Sequence, residues 1–112
     1  MNNFNMFYDT AYIYIDSTFA GILEKNDEGY IFTYDKEYLL SSTLPVSLTL
    51  PLRDEPYTSK TLFSFFDGLI PEGWLLDIVI KKYSVNPLDR FSLLLLTGED
   101  TIGNVSVRSD KL

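Results

Sequence analysis

The sequence predicts an α+β domain, with a small, mostly antiparallel sheet of four or five strands packed with about three helices. Three observations carry this prediction. Aromatic and aliphatic residues alternate with a period of two in the first third of the chain, and apolar spacing changes to three and four residues from Leu62 onward. A short alternating stretch then returns near the end. Strands, then helices, then one strand place the helices on one face of the sheet.

In chain order, residues 1–9 carry three Asn and no period, and read as a flexible arm ahead of a single domain over 10–109. Ala11-Tyr12-Ile13-Tyr14-Ile15 alternates as a strand, Asp16-Ser17 turns, and Thr18 to Glu24 returns. Lys25 to Gly29 is a second polar turn, and Tyr30 to Tyr34 alternates again, giving an antiparallel meander. Tyr12, Tyr14, Tyr30, Phe32 and Tyr34 are candidates for an aromatic ladder on one sheet face. Asp35 to Leu40 reads as one helical turn. Pro45, Pro51 and Pro56 restrict any strand between them, such as Val46 to Leu50, to a short or edge position, and Arg53 to Tyr57 reads as a charged loop.

Leu62, Phe63, Phe65, Phe66 and Leu69 form a short apolar helix that stops near Gly68. Pro71 suits the first position of the next helix, on which Leu76, Val79, Ile80 and Tyr83 mark the buried face. A further helix is capped by Asn86, with Pro87 in its first turn, Asp89 at its positive end and Gly98 closing it. Its expected buried positions are Leu88, Phe91, Leu94 and Leu95. Val105 and Val107 alternate in a last strand.

Composition narrows the chemistry. The chain has 112 residues, 46% of them hydrophobic, with 8 Phe, 8 Tyr and 1 Trp, enough for a core without cross-links. It has no Cys, which excludes disulfides and a thiol nucleophile and fits a reducing cytosol. It has no His, which removes the commonest general base and metal ligand. A net charge of −7 opposes contact with nucleic acid and favours basic partners. Lys81-Lys82, the one adjacent basic pair, reads as a solvated helix face. The N-terminus lacks a basic region followed by an apolar run, and Leu93–Leu96 is far too short to span a membrane. A soluble, cytoplasmic protein without cofactor or metal is expected.

No catalytic constellation emerges. The adjacent acidic pairs Asp54-Glu55 and Glu99-Asp100 read as solvated turns. Gly98 to Gly103 has the outer glycine spacing of a phosphate loop, but the Lys and Ser/Thr that should follow are missing. The kinase strand Lys, H-R-D loop and D-F-G are also missing. What remains is surface recognition, and Trp74 stands out within Pro71-Glu72-Gly73-Trp74-Leu75-Leu76-Asp77. It lies about 200° round the helix from Leu76. Either it points outward with Ile78, beside Leu75, as a binding hot spot, or it folds back to plug the end of the core.

Several segments together resemble a known family. They are Asp16 to Gly21 with Leu23, Gly29 to Tyr34, and Pro45-Val46-Ser47-Leu48-Thr49-Leu50-Pro51-Leu52. They continue with Phe65-Phe66-Asp67-Gly68-Leu69-Ile70-Pro71-Glu72-Gly73, Asp89 to Leu94, and Gly98 to Val105. In this order, over residues 11–108, the chain resembles the N-terminal subdomain of HipA-type Ser/Thr kinases. In that family the subdomain precedes the Gly-rich ATP loop and the catalytic core, which agrees with the missing kinase motifs. A chain of this length is similar to the HipS-like small subunits of tripartite HipBST toxin–antitoxin systems. There the subdomain is encoded apart from the kinase, and a DNA-binding protein completes the set.

The resemblance implies an antitoxin that docks on a HipT-like Ser/Thr kinase and neutralises it, with a HipB-like DNA-binding protein as a further partner in a ternary complex. The expected contact segment is Glu72, Gly73, Trp74, Leu75, Asp77 and Ile78, lying against the kinase cleft with Trp74 as anchor. The sequence departs from the family pattern at Trp74, where a polar residue usually follows P-E-G, and this departure favours exposure. Two other readings stand beside it. One is the N-terminal, non-catalytic piece of a full-length kinase. The other is a generic adaptor or DNA-binding antitoxin, which the negative charge opposes.

Overall fold

The structure, a computed structural model, describes residues 9–100 and 103–112. The predicted arm over residues 1–9 lies outside the described residues except for Asp9, as do Thr101 and Ile102 of the turn before the last strand. Among the described residues, five antiparallel strands form one sheet in the order β4-β3-β2-β1-β5. They are β1 (Thr10–Ile15), β2 (Thr18–Asn26), β3 (Gly29–Tyr34), β4 (Tyr57–Ser59) and β5 (Val105–Arg108). The four α-helices among the described residues are α1 (Lys36–Ser41), α2 (Ser64–Asp67), α3 (Gly73–Tyr83) and α4 (Arg90–Thr97). A single 3-10 turn, Gly98–Asp100, follows α4.

Local chemistry explains the meander. Asp16 and Ser17 both take positive φ (48° and 70°), the two-residue turn shape that matches the twist of the flanking strands. At the second turn the Asn26 side chain accepts the Glu28 N–H at 2.8 Å. Asp35 caps α1 by accepting the Tyr38 N–H at 3.1 Å.

Strand register decides which residues form the core. Ala11 pairs with Leu23 and Leu23 with Phe32, while Ile13 pairs with Gly21 and Gly21 with Tyr34. These residues share the face that the helices cover, and Ala11, Ile13, Leu23 and Phe32 are fully buried there. The ring of Phe66 from α2 packs 5.4 Å from Phe32, and Phe91 from α4 lies 6.0 Å from Tyr30. Each such buried side chain contributes roughly 1.5–3 kcal/mol.

Five expectations need correction. The aromatic ladder is divided, because Tyr12 pairs with Ile22 and Ile22 with Thr33 on the opposite face from Phe32 and Tyr34. Tyr12 and Tyr14 meet Phe19 there instead. The segment from Val46 to Leu50 is a turn, not a strand: the Leu50 N–H returns to the Ser47 carbonyl at 3.0 Å, and the edge strand forms after Pro56. Pro71 lies two residues before α3, since Glu72 is extended and Gly73 begins the helix. Tyr83 is exposed rather than part of a buried face; Leu76, Val79 and Ile80 are half-buried.

The fifth correction concerns α4. Asp89, not Asn86, is the cap, with one carboxylate oxygen accepting the Ser92 N–H at 3.1 Å and the other its hydroxyl at 2.7 Å. Asn86 instead closes a preceding turn by accepting the Leu88 N–H at 2.9 Å. That turn sends Leu88 outward, 84% exposed, while Leu93 takes a core position beside Phe91, Leu94 and Leu95. Gly98 follows α4 with ordinary helical angles rather than a left-handed cap. A glycine is needed there because a Cβ would stand 2.6 Å from the Val107 Cβ of β5.

Candidate partner-docking site

The features that expose the α3 face begin at its entry. Glu72 makes no side-chain cap, and Gly73 opens the helix at φ +66° with free space around it. At the other end Ser84 is left-handed, and the N–H groups of Ser84 and Val85 both return to the Ile80 carbonyl. Lys81 and Lys82 sit in the last turn, where the helix dipole favours positive charge.

No residue of α3 is fully buried. Leu76, Val79 and Ile80 pack against the core, which turns the opposite side to solvent. Trp74 is 74% exposed, Leu75 46% and Ile78 49%. Trp74 and Ile78 are four residues apart and Leu75 and Ile78 three, so the three side chains form one continuous apolar ridge. Of the two arrangements open for Trp74, the outward one is observed. All six predicted contact residues, Glu72, Gly73, Trp74, Leu75, Asp77 and Ile78, are exposed.

Beside the ridge runs an open groove of ≈ 540 Å³ between α3 and the end of α4. Leu75, Ile78 and Val79 form one wall, the connection from Gly68 to Pro71 another, and Leu96 the end. Leu96 is 37% exposed and extends the apolar surface.

Sequence reasoning also missed an ion pair. Arg90, the first residue of α4, donates through Nε to Asp67, the last residue of α2, at 2.6 Å. Asp67 raises the Arg90 pKa through this bond, and the Glu72 charge adds to the effect. Both residues lay in segments singled out by the family resemblance, but only pairing across α2 and α4 gives them a role.

The arrangement presents an apolar surface to solvent. The apolar ridge is flanked by Glu72 and Asp77, with no nucleophile–base pair along it. Among the described residues no group of three His, Cys, Asp or Glu is placed to hold a metal, and no helix is long and apolar enough to cross a membrane.

Comparison with known proteins places the chain in a family. The sequence matches the HipA N-terminal domain over residues 11–108. An uncharacterised protein of Haemophilus influenzae is 32% identical over 99 residues, covering 88% of this chain and 91% of the relative. The Sinorhizobium fredii protein named "Putative kinase Y4mE" is 32% identical over 93 residues, covering 81% of this chain but only 22% of the relative. The solved N-terminal domain of HipA toxin superposes with a TM-score of 0.68 at 31% identity, over 88% of this chain and 90% of that one. A chain of the Shewanella oneidensis MR-1 toxin–antitoxin complex of HipA, HipB and operator DNA shares the fold, with a TM-score of 0.70 at 24% identity over 88% of this chain and 23% of its own length. With the sequence match running from β1 to β5 and over the four helices of the described residues, the chain belongs to the HipA N-terminal domain family.

Proposed function

We propose that this chain is an antitoxin subunit that binds a separately encoded HipA- or HipT-like Ser/Thr kinase and neutralises it without catalysing any reaction itself. The observation that carries the reading is the exposed ridge of Trp74, Leu75 and Ile78 on a helix that buries no residue fully. A large aromatic flanked by aliphatic side chains is the usual makeup of an interface anchor. A Haemophilus relative matched over 91% of its own length supports a stand-alone domain. The Sinorhizobium relative carries the same domain within a much longer kinase-named chain, so a kinase body is the natural surface for it to meet.

In this reading the segment from Glu72 to Ile78 lies against the active-site cleft of the kinase, and Trp74 inserts as the anchor. Substrate or nucleotide is then excluded, or lobe closure is blocked. The complex forms in the cytoplasm, and a HipB-like protein supplies the DNA contact that a chain of net charge −7 disfavours. A second reading is the N-terminal, non-catalytic subdomain of a full-length kinase. The 22% coverage of the Sinorhizobium protein favours it, and the same ridge would then pack within one chain.

Co-expression with the kinase of the neighbouring reading frame, followed by copurification and a phosphorylation assay, tests the proposal. The expected result is a stable complex with a silenced kinase, and release of activity when Trp74→Ala replaces the wild-type chain. A kinase fully active in the presence of saturating wild-type chain would refute neutralisation.

A further inference from the structure

We infer that Arg90 is a positioning residue for the docking ridge: by holding Asp67 it fixes the entry of α3 and with it the direction of Trp74. The inference rests on the docking reading but comes from separate observations. Asp67 acts through two groups at once. Its carboxylate accepts Arg90 Nε at 2.6 Å, and its carbonyl accepts the Ile70 N–H at 3.2 Å. Ile70 is buried, and only Pro71, Glu72 and Gly73 separate it from Trp74. Arg90 itself begins α4, whose Phe91, Leu93, Leu94 and Leu95 are buried in the core. The ion pair therefore ties the segment leading into α3 to the helix with the most buried residues.

Beyond the buried Ile70, the entry of α3 has few anchors. Glu72 provides no cap, Gly73 is left-handed with nothing within 4 Å of a would-be Cβ, and α3 rests on half-buried side chains alone. The negative charge of Glu72 also favours the charged guanidinium, after the hydrogen bond and charge of Asp67. Without Arg90, the carboxylates of Asp67 and Glu72 lose the cation that α4 supplies.

Trp74 is the one tryptophan in the chain, so its fluorescence anisotropy reports the ridge directly. In the isolated full-length chain, Arg90→Gln is expected to lower the Trp74 anisotropy while far-UV circular dichroism stays unchanged. Arg90→Lys should restore it, because the contact is a single N–H···O bond and needs a cation more than a planar fork. Against the purified HipT-like kinase, Arg90→Gln should weaken binding about two- to fivefold, the range for a partly exposed ion pair, and should add nothing in a Trp74→Ala background. If Arg90→Gln proves unfolded, Asp67→Asn removes the same contact from its other side and should give the same loss of anisotropy. Wild-type anisotropy in a folded Arg90→Gln or Asp67→Asn chain overturns the positioning role whether or not the kinase binds. An equal loss of affinity with and without Trp74 overturns it too, by assigning Arg90 to general stability. Full affinity in Trp74→Ala alone overturns the docking reading instead.

Discussion

Replacing Tyr34 by Phe removes one oxygen that serves two backbone groups. The hydroxyl accepts the Val46 N–H at 2.9 Å and donates to the Leu50 carbonyl, pinning both ends of the 46–50 turn to the sheet. Tyr34, Val46 and Leu50 are each at least 95% buried, so water cannot readily replace the lost oxygen. A buried polar group left unsatisfied costs about 1–3 kcal/mol; with partial relaxation the pair should cost about 2–4 kcal/mol. For a domain of this size that lowers the melting temperature by roughly 6–15 °C.

The pH dependence gives an independent check. Burial pushes the Tyr34 pKa up from 10.0 to about 12; the Val46 N–H bond opposes the rise, and Tyr57 and Tyr38 add to it. Below pH 10 the hydroxyl is protonated in both states and its stabilisation is complete. Between pH 10 and 12 the unfolded chain has lost the proton while the folded chain keeps it, so stability falls by up to about 2–3 kcal/mol. Tyr34→Phe has no such loss. Urea unfolding of both proteins, followed by circular dichroism, should show a gap of about 2–4 kcal/mol at pH 7 that narrows above pH 10. A mutant within about 0.5 kcal/mol of wild type at pH 7, or a gap that stays constant through pH 11.5, would refute this account of the turn.

Other substitutions test the remaining packing. Leu94→Ala should cost about 2–5 kcal/mol in urea unfolding, while Leu88→Ala should stay within about 0.5 kcal/mol, the order expected if Leu88 points to solvent. Gly98→Ala should cost about 1–3 kcal/mol because its methyl would press on Val107, although the backbone angles suit alanine. Gly73→Ala has open space but an unfavourable φ, so its cost should be about 1–2 kcal/mol and should appear as lost α3 helicity in amide exchange.

The meander was legible because register and turn chemistry are local. Alternation in β1 and β3, the Asp16-Ser17 turn and the polar turn before Gly29 each act within a few residues. The limits appear where two distant segments decide the outcome. The period of two showed that Tyr12 and Phe32 alternate with their neighbours, but only pairing across β1, β2 and β3 puts them on opposite faces. Asn86 and Asp89 are both good caps, and the tight Asn86-to-Leu88 turn settles the choice by moving the helix start. Proline spacing argued for a short strand near Val46, yet the Tyr34 hydroxyl holds that stretch as a turn and leaves the edge to Tyr57–Ser59.

The ridge was legible in part. Helical spacing put Trp74 and Ile78 on one side and Leu76 on the other, but could not say whether Trp74 would fold back over the core. It points outward because Leu76, Val79 and Ile80 take the inner side. The Asp67–Arg90 bond joins residues 23 apart, and no local pattern announces it.

Calorimetric titration of the purified kinase with wild-type chain and with Trp74→Ala addresses the docking claim most directly. An anchor that becomes buried on binding is worth about 2–4 kcal/mol, so the substitution should weaken binding roughly 30- to 1000-fold while the chain stays folded. Equal affinity for the two proteins would contradict the account and remove the α3 ridge from the interface.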